Sequence, residues 1–153
     1  MSGERFTLDT NVLIYAIDTA SPHRHAIARE VVLRAQPLDC CLTLQAVSEF
    51  FVAVSRKRLL PIERAARLAD DWMTTFETVG TSADAIRQAL GATLRHRASY
   101  WDALLVAAAA EAGCTAILTE DLADGTSLFG VRIINPFGPG GLTQPARDLL
   151  TPA

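Results

Sequence analysis

Short apolar runs of strand length alternate along this chain with longer segments whose apolar residues recur at helical spacing. The predicted strands cover residues 5–8, 39–43, 75–79, 116–119 and 131–134. The predicted helices cover residues 11–17, 22–35, 44–58, 61–73, 83–96 and 100–112. This alternation is typical of an α/β fold, in which a central, mostly parallel β-sheet is flanked by α-helices.

Several helix boundaries carry recognisable end signals. Ser21 precedes Pro22, a pair that suits an N-cap followed by the first helical position. Ser82 and Ser99 are the expected N-caps of the two later helices, since a serine oxygen accepts a hydrogen bond from a free backbone N–H. Gly113 is expected to end the helix before it, because glycine adopts the left-handed conformation at this position without strain.

The chain divides into two parts by composition. Residues 1–137 carry the alternating pattern and are expected to form a single domain, while residues 138–153 form a tail rich in Gly and Pro. Apart from a short helix at residues 146–150, this tail is expected to be loosely ordered.

Length and composition place the protein among ordinary globular domains. Of its 153 residues, 50% are hydrophobic and 20% are charged. No apolar run approaches the roughly 20 residues that a membrane-spanning helix needs. The N-terminal residues Met-Ser-Gly-Glu-Arg lack the apolar region of a signal peptide, so we expect a cytoplasmic protein without a membrane partner. Cys40, Cys41 and Cys114 each lie in apolar stretches and are interpreted as small buried side chains.

The protein is acidic overall, but its positive charges are concentrated in clusters. A net charge of −3 argues against a nucleic-acid partner, but the positive charge is almost all arginine, with Lys57 the only lysine. The basic residues cluster at Arg56-Lys57-Arg58 with Arg64 and Arg67, and again at Arg95-His96-Arg97. Guanidinium groups bind phosphate in a bidentate way, so Arg56 and Arg58 are candidates for contacts with phosphates. A solvated helix end explains each cluster equally well.

Two aspartates follow predicted strands. Asp9 comes directly after residues 5–8, and Asp121 comes shortly after residues 116–119. In open α/β sheets, ligands bind at the carboxyl ends of the strands. Capping explains these residues too, because Asp9 suits the N-cap of the next helix and Asp121 suits a short turn through Asp124.

Two further acids lie on helices among apolar residues. Glu49 lies within the mostly apolar stretch of residues 46–52, and Asp102 precedes a run of apolar residues, so both are expected to face inward. A capping box with Ser99 is an alternative for Asp102, whereas no cap explains Glu49. Converging carboxylates repel one another unless a cation compensates them. The four acids therefore predict a site for Mg²⁺, for which Mn²⁺ can substitute.

Four ordered segments resemble the motifs of PIN domains. They are residues 8–15 (LDTNVLIY), 48–50 (SEF), 100–107 (YWDALLVA) and 118–122 (LTEDL), and residues 131–137 resemble the closing strand of the bacterial VapC toxins. By this resemblance, the metal-binding acids are Asp9, Glu49, Asp102 and Asp121. Asn11 and Thr119 match polar residues that orient those ligands, and Asp124 matches a less regular outer acid.

The resemblance implies a Mg²⁺-dependent endoribonuclease, the toxin of a VapBC toxin–antitoxin pair. It also implies an RNA substrate, a homodimer and a VapB-type antitoxin as partner. A non-catalytic PIN-fold module that binds RNA or a protein is the alternative, although none of the four acids is missing. An aspartyl-phosphate phosphatase fits less well because Asn11 stands where that class needs a second aspartate. A phospho-receiver domain fits less well because it needs a lysine after a late strand.

Overall fold

The computed structural model describes residues 3–153, so Met1 and Ser2, on which the signal-peptide expectation partly rests, lie outside the described residues. Strands and helices alternate over most of the chain, as the sequence predicts. In chain order the elements are β1 (Phe6–Leu8), α1 (Thr10–Tyr15), α2 (Pro22–Ala35), β2 (Cys40–Thr43), α3 (Leu44–Arg56), α4 (Ile62–Thr75), β3 (Glu77–Val79), α5 (Ala83–Leu94), α6 (Tyr100–Glu111), β4 (Ala116–Leu118), β5 (Ser127–Leu128), β6 (Val131–Ile134), β7 (Phe137–Gly138), β8 (Gly141–Leu142) and α7 (Gln144–Leu149).

A six-stranded sheet forms the centre of the molecule, in the order β3-β2-β1-β4-β6-β5. Every neighbouring pair is parallel except β5 and β6, which are antiparallel. Phe6 of β1 is in register with Cys40 on one side and Ala116 on the other. The predicted α/β architecture is confirmed, and the carboxyl ends of β1, β2 and β4 lie side by side at one edge.

The helix ends follow from local chemistry. The hydroxyl groups of Thr43, Ser82 and Ser99 accept hydrogen bonds from backbone N–H groups in the first turns of α3, α5 and α6. Gly113 adopts φ +88° just after α6, as expected. Arg58 and His96 also have positive φ, which places them outside the helices predicted to contain them. As a result α3 ends at Arg56 and α5 at Leu94.

The two faces of the sheet are covered by different helices, because successive strand residues point to opposite sides. Cys40 and Leu42 of β2 point into the main core with Phe6 and Leu8. Cys41 points to the other face, where it packs with Ala109 of α6. The three cysteines are buried and free, as interpreted from the sequence, and the Sγ atoms of Cys41 and Cys114 lie 3.3 Å apart.

The segment after residue 137 is folded onto the domain, so the expectation of a loosely ordered tail is wrong. Strands β7 and β8 form an antiparallel hairpin, and α7 follows with a proline in its first turn. The apolar side chains of this segment enter the main core, which compensates the entropy lost by ordering a Gly-rich stretch: Leu142, Ala146, Leu149 and Leu150. The hairpin also holds α2, since His23 Nε2 lies 2.7 Å from the carbonyl oxygen of Gly138. The division at residue 137 stays a prediction.

None of the helices found within residues 3–153 combines the length and the apolar character that crossing a membrane requires.

Candidate active site

Asp9 lies at the carboxyl end of β1 and is only 6% exposed. Its Oδ1 accepts a hydrogen bond of 2.7 Å from the backbone N–H of Thr10, so it does cap α1. Its Oδ2 accepts hydrogen bonds from the hydroxyl of Thr119 at 2.7 Å and from the amide of Asn11 at 3.4 Å. Burial raises the pKa of Asp9 to about 6, despite the opposing effect of the bonds from Thr119 and Thr10.

Thr119 couples the ends of the two central strands. It directly follows β4 and is fully buried, and β4 pairs with β1. Its hydroxyl donates to Asp9 and accepts from the side chain of Asn11 at 3.2 Å and the backbone N–H of Asp121 at 3.1 Å. One donated and two accepted bonds use the full capacity of a hydroxyl group. Thr119 therefore fixes the carboxylate of Asp9 relative to the turn that carries Asp121.

Asp102 is the third residue of α6 and is half-buried. Its backbone N–H donates to the Ser99 hydroxyl at 3.4 Å, and that hydroxyl donates back to Oδ2 of Asp102 at 2.8 Å. Ser99 and Asp102 thus form a variant capping box, as the alternative interpretation of the sequence predicts. This contact does not prevent Asp102 from also belonging to the site. Its negative charge lies close enough to raise the pKa of Asp9 further, as does that of Asp121.

Glu49 is exposed, so the expectation that it faces inward is wrong. The buried side of α3 is formed by Ala46, Val47, Phe50 and Val54, and Glu49 lies beside that stripe. Its Oε1 accepts a 2.9 Å hydrogen bond from the amide of Gln45, which also donates to the Trp101 carbonyl at 2.8 Å. Partial desolvation and then the charges of Asp102 and Asp121 raise the pKa of Glu49.

Asp121 is exposed on the turn after β4. The Thr119 hydroxyl accepts a hydrogen bond from its backbone N–H, and its negative charge further raises the pKa of both Asp9 and Glu49. Asp124 does not join them. Its Oδ1 accepts from the backbone N–H of Asn135 at 2.9 Å, which gives it a role in holding the turn.

We call Asp9, Glu49, Asp102 and Asp121 the acidic centre, because the negative charges of Asp102 and Asp121 further raise the pKa of both Asp9 and Glu49. In the part of the chain that the structure describes, the ion pairs involve none of them. Over the same residues, no three His, Cys, Asp or Glu side chains are grouped closely enough to hold a metal ion by themselves. Hard oxygen donors nevertheless suit Mg²⁺, which keeps several of its waters and needs only one or two carboxylates from a protein. The donor chemistry fits the predicted cation.

Glu120, between Thr119 and Asp121, was not singled out from the sequence. The Tyr15 hydroxyl donates to its Oε1 at 2.5 Å, and Arg24 Nε donates to its Oε2 at 2.9 Å. The Arg24 guanidinium carbon lies 5.7 Å from the centroid of the Tyr15 ring. Burial and this carboxylate raise the pKa of Tyr15 to about 12. Unlike the four acids, Glu120 has its negative charge balanced by an ion pair with Arg24. Its contacts with Tyr15 and Arg24 anchor the turn after β4. About a hundred residues separate these partners, so no local pattern signals the contact.

The comparisons with known proteins agree with this architecture. The PIN-domain family model matches residues 6–123, which includes all four acids. Among curated proteins, none matches the sequence significantly.

Solved structures resemble the fold at low sequence identity. A VapC20 toxin from Mycobacterium tuberculosis, described as cleaving the sarcin–ricin loop, is 21% identical with a TM-score of 0.64, over 76% of this chain and 89% of that one. A DNA-bound VapBC complex from Salmonella typhimurium is 18% identical with a TM-score of 0.63, over 85% of this chain and 96% of that one. A toxin–antitoxin complex from Klebsiella pneumoniae is 21% identical with a TM-score of 0.57, over 82% and 93%.

Proposed function

The chain belongs to the PIN-domain family, and we propose that it is a Mg²⁺-dependent endoribonuclease that hydrolyses RNA phosphodiester bonds. The observation that carries this proposal is the buried carboxylate of Asp9 at the edge of the sheet, with Asp102 and Asp121 close enough to raise its pKa and no ion pair to any cation of residues 3–153. A site with this charge favours binding of a divalent cation.

The roles of the acids follow from their burial. Asp9 and Asp102, whose carboxylates are oriented by Thr119 and Ser99, are proposed as direct metal ligands. When bound, Mg²⁺ or Mn²⁺ lowers the pKa of a coordinated water and neutralises charge on the phosphate. Glu49 and Asp121 are more exposed, and we propose that one of them completes the coordination or accepts the proton of the attacking water.

Arg56 is the better of the two candidates for a contact with phosphate. It lies on α3, seven residues after Glu49, and is exposed. Seven residues of helix correspond to about 10.5 Å at 1.5 Å per residue, a reach suited to a flanking phosphate rather than the scissile one. Arg58 lies beyond the end of α3 with φ 52°, and it is a weaker candidate.

We further propose that the protein is a toxin of the VapC type. The similarity to toxin–antitoxin complexes supports a VapB-type antitoxin as partner. Action on RNA in the cytoplasm is part of the same proposal. A homodimer is proposed on the family resemblance alone. The alternative is a non-catalytic module, which retains the fold but neither binds metal nor cuts RNA.

The test compares Asp9→Asn with Asp70→Asn, which removes the same charge from the exposed face of α4. Purified proteins are incubated with single-stranded and structured RNA at graded Mg²⁺ and Mn²⁺ concentrations, and Mn²⁺ binding is followed by calorimetry. Asp9→Asn should lose at least about 100-fold in cleavage rate, since even outer partners of metal ligands cost 10- to 100-fold. Asp70→Asn should match the wild type. Equal cleavage by wild type and Asp9→Asn would contradict the nuclease assignment. A wild-type protein that neither binds Mn²⁺ nor cleaves RNA would favour the module.

A further inference from the structure

A groove lies beside the acidic centre, between α3 and the start of α6. It has a volume of about 700 Å³, and its walls include Gln45, Glu49, Val52, Arg56, Trp101 and Leu104. Glu49 belongs to both the groove and the proposed metal site, so the two are continuous. We call this feature the α3–α6 groove.

Trp101 is the unusual residue of the groove. Its side chain is 62% exposed, although it occupies the position directly before Asp102 at the start of a largely buried helix. The Gln45 amide fixes its backbone carbonyl at 2.8 Å, and the Tyr100 ring packs edge-on with centroids 5.1 Å apart. An indole held in this way, next to a reaction centre, offers a flat apolar surface that water solvates poorly.

Charge is distributed unequally along the groove. Glu49 lies at the end nearest the acidic centre, and Arg56 lies two helical turns away on the same face of α3. Arg56 forms no ion pair with any of residues 3–153, so its guanidinium is available for a ligand. A cation and an exposed aromatic ring along one groove is the combination that binds unpaired nucleic-acid strands.

We propose that the α3–α6 groove is a nucleobase subsite for single-stranded RNA. In this arrangement Trp101 stacks against the base next to the scissile phosphate, and Arg56 binds the phosphate on the far side of that base. Stacking requires a base splayed out of a helix, so the subsite selects unpaired RNA over duplex. The inference rests on the proposed nuclease function, because only catalysis at the acidic centre gives the groove a substrate.

Tryptophan fluorescence gives a direct test of stacking. The chain has two tryptophans, and Trp72 is only 7% exposed, so the difference between wild type and Trp101→Phe reports on Trp101. An unstructured RNA oligonucleotide is titrated into both proteins in an Asp9→Asn background, where the RNA stays intact. The fluorescence of the protein that retains Trp101 should be quenched by the RNA, and the Trp101→Phe protein should show no quenching. A duplex of the same sequence should quench neither protein.

Kinetics with the catalytically intact protein complete the test. Trp101→Ala should raise KM about 10- to 100-fold for single-stranded RNA, as expected for the loss of one stacked base, and Trp101→Phe should recover most of it. Arg56→Ala should raise KM and lower the salt slope of RNA binding by about 0.7. Leu94 is an exposed apolar residue on α5, and Leu94→Ala should leave both KM and the salt slope unchanged.

The outcomes separate the two proposals. If wild type cleaves RNA but Trp101→Ala leaves KM unchanged, and no quenching occurs, the subsite is wrong and the nuclease stands. If RNA quenches Trp101 in a protein that never cleaves, the nuclease is wrong and the groove remains an RNA-binding site. Emission that changes with protein concentration in the absence of RNA would show the indole covered by a second copy, which overturns the subsite.

Discussion

Asp9 combines two tasks that act in opposite directions. As the N-cap of α1 it supplies a carboxylate oxygen to the backbone of Thr10, which favours its ionised form. Its burial and the nearby acids favour the neutral form, and these effects dominate, since the pKa rises from 3.8 to about 6. At neutral pH without metal, the folded protein therefore holds a carboxylate in an environment that destabilises its charge.

Replacing this carboxylate by an amide should stabilise the metal-free protein. The folded state binds the Asp9 proton more tightly than the unfolded state, so the stability of the wild type should fall as pH rises between about 4 and 6. Above that range the cost is fully present, and Asp9→Asn should raise the free energy of unfolding by on the order of 2–3 kcal/mol. The advantage should vanish near pH 4.

Urea denaturation at pH 4 and pH 7.5 measures this difference. Addition of Mg²⁺ at pH 7.5 should raise the stability of the wild type and leave Asp9→Asn unchanged, because a ligand that binds only the folded state stabilises it. A metal-free Asp9→Asn protein that is less stable than wild type at pH 7.5 would show that the buried charge is better compensated than its surroundings indicate.

Single residues were predicted unevenly from the sequence. The position of Asp9 directly after a strand was sufficient to predict that it lies at the edge of the sheet, because the carboxyl end of a buried strand has a definite position in an α/β fold. Glu49 was misplaced because apolar neighbours in sequence do not say on which side of the buried stripe a helical residue falls. The positions Gln45, Glu49, Val52 and Arg56 share one face at helical spacing, and this mostly polar face is the signal that indicates exposure.

At the scale of elements, helix caps both define the fold and orient the site. Ser82 and Ser99 each accept a hydrogen bond from the first turn of their helices, α5 and α6. They differ in what their hydroxyls donate to. Ser82 donates to Glu111 on the neighbouring helix, and Ser99 donates to Asp102 in the acidic centre. The serine N-cap thus stabilises both helices, and in α6 it also orients a carboxylate of the acidic centre.

The two serines make a matched pair of alanine substitutions. Ser82→Ala and Ser99→Ala should each lower the free energy of unfolding by about 1 kcal/mol, the usual cost of losing an N-cap. Only Ser99→Ala should also lower kcat/KM, by about 10-fold, and raise the Mg²⁺ concentration needed for half-maximal cleavage, because Asp102 loses its orienting partner. Denaturation curves and cleavage rates at graded Mg²⁺ measure both. Equal activity of the two variants would mean that the Ser99 contact serves the helix alone.

For the whole molecule, the alternation of strands and helices was enough to predict the sheet and its layers. Every observed strand longer than two residues overlaps a strand predicted from the sequence. The prediction works because β-strands and amphipathic helices have distinct periodicities. The pattern failed for two-residue strands, which are too short to show any period: β5, β7 and β8. It also failed for the tail, where Gly and Pro content outweighed four apolar residues that the fold buries.

The burial of these residues indicates that the C-terminal segment shares one cooperative unit with the domain. Leu149 is 3% exposed within the main core, whereas Leu33 on α2 is 61% exposed and serves as a control. Leu149→Ala should lower the free energy of unfolding by about 2–5 kcal/mol, and Leu33→Ala by less than about 0.5 kcal/mol. Because a shared core unfolds as a whole, Leu149→Ala should shift the main transition in urea without creating an earlier one. A separate early transition confined to residues 138–153, with the main midpoint unchanged, would show instead that the tail is an appendage to the nuclease fold.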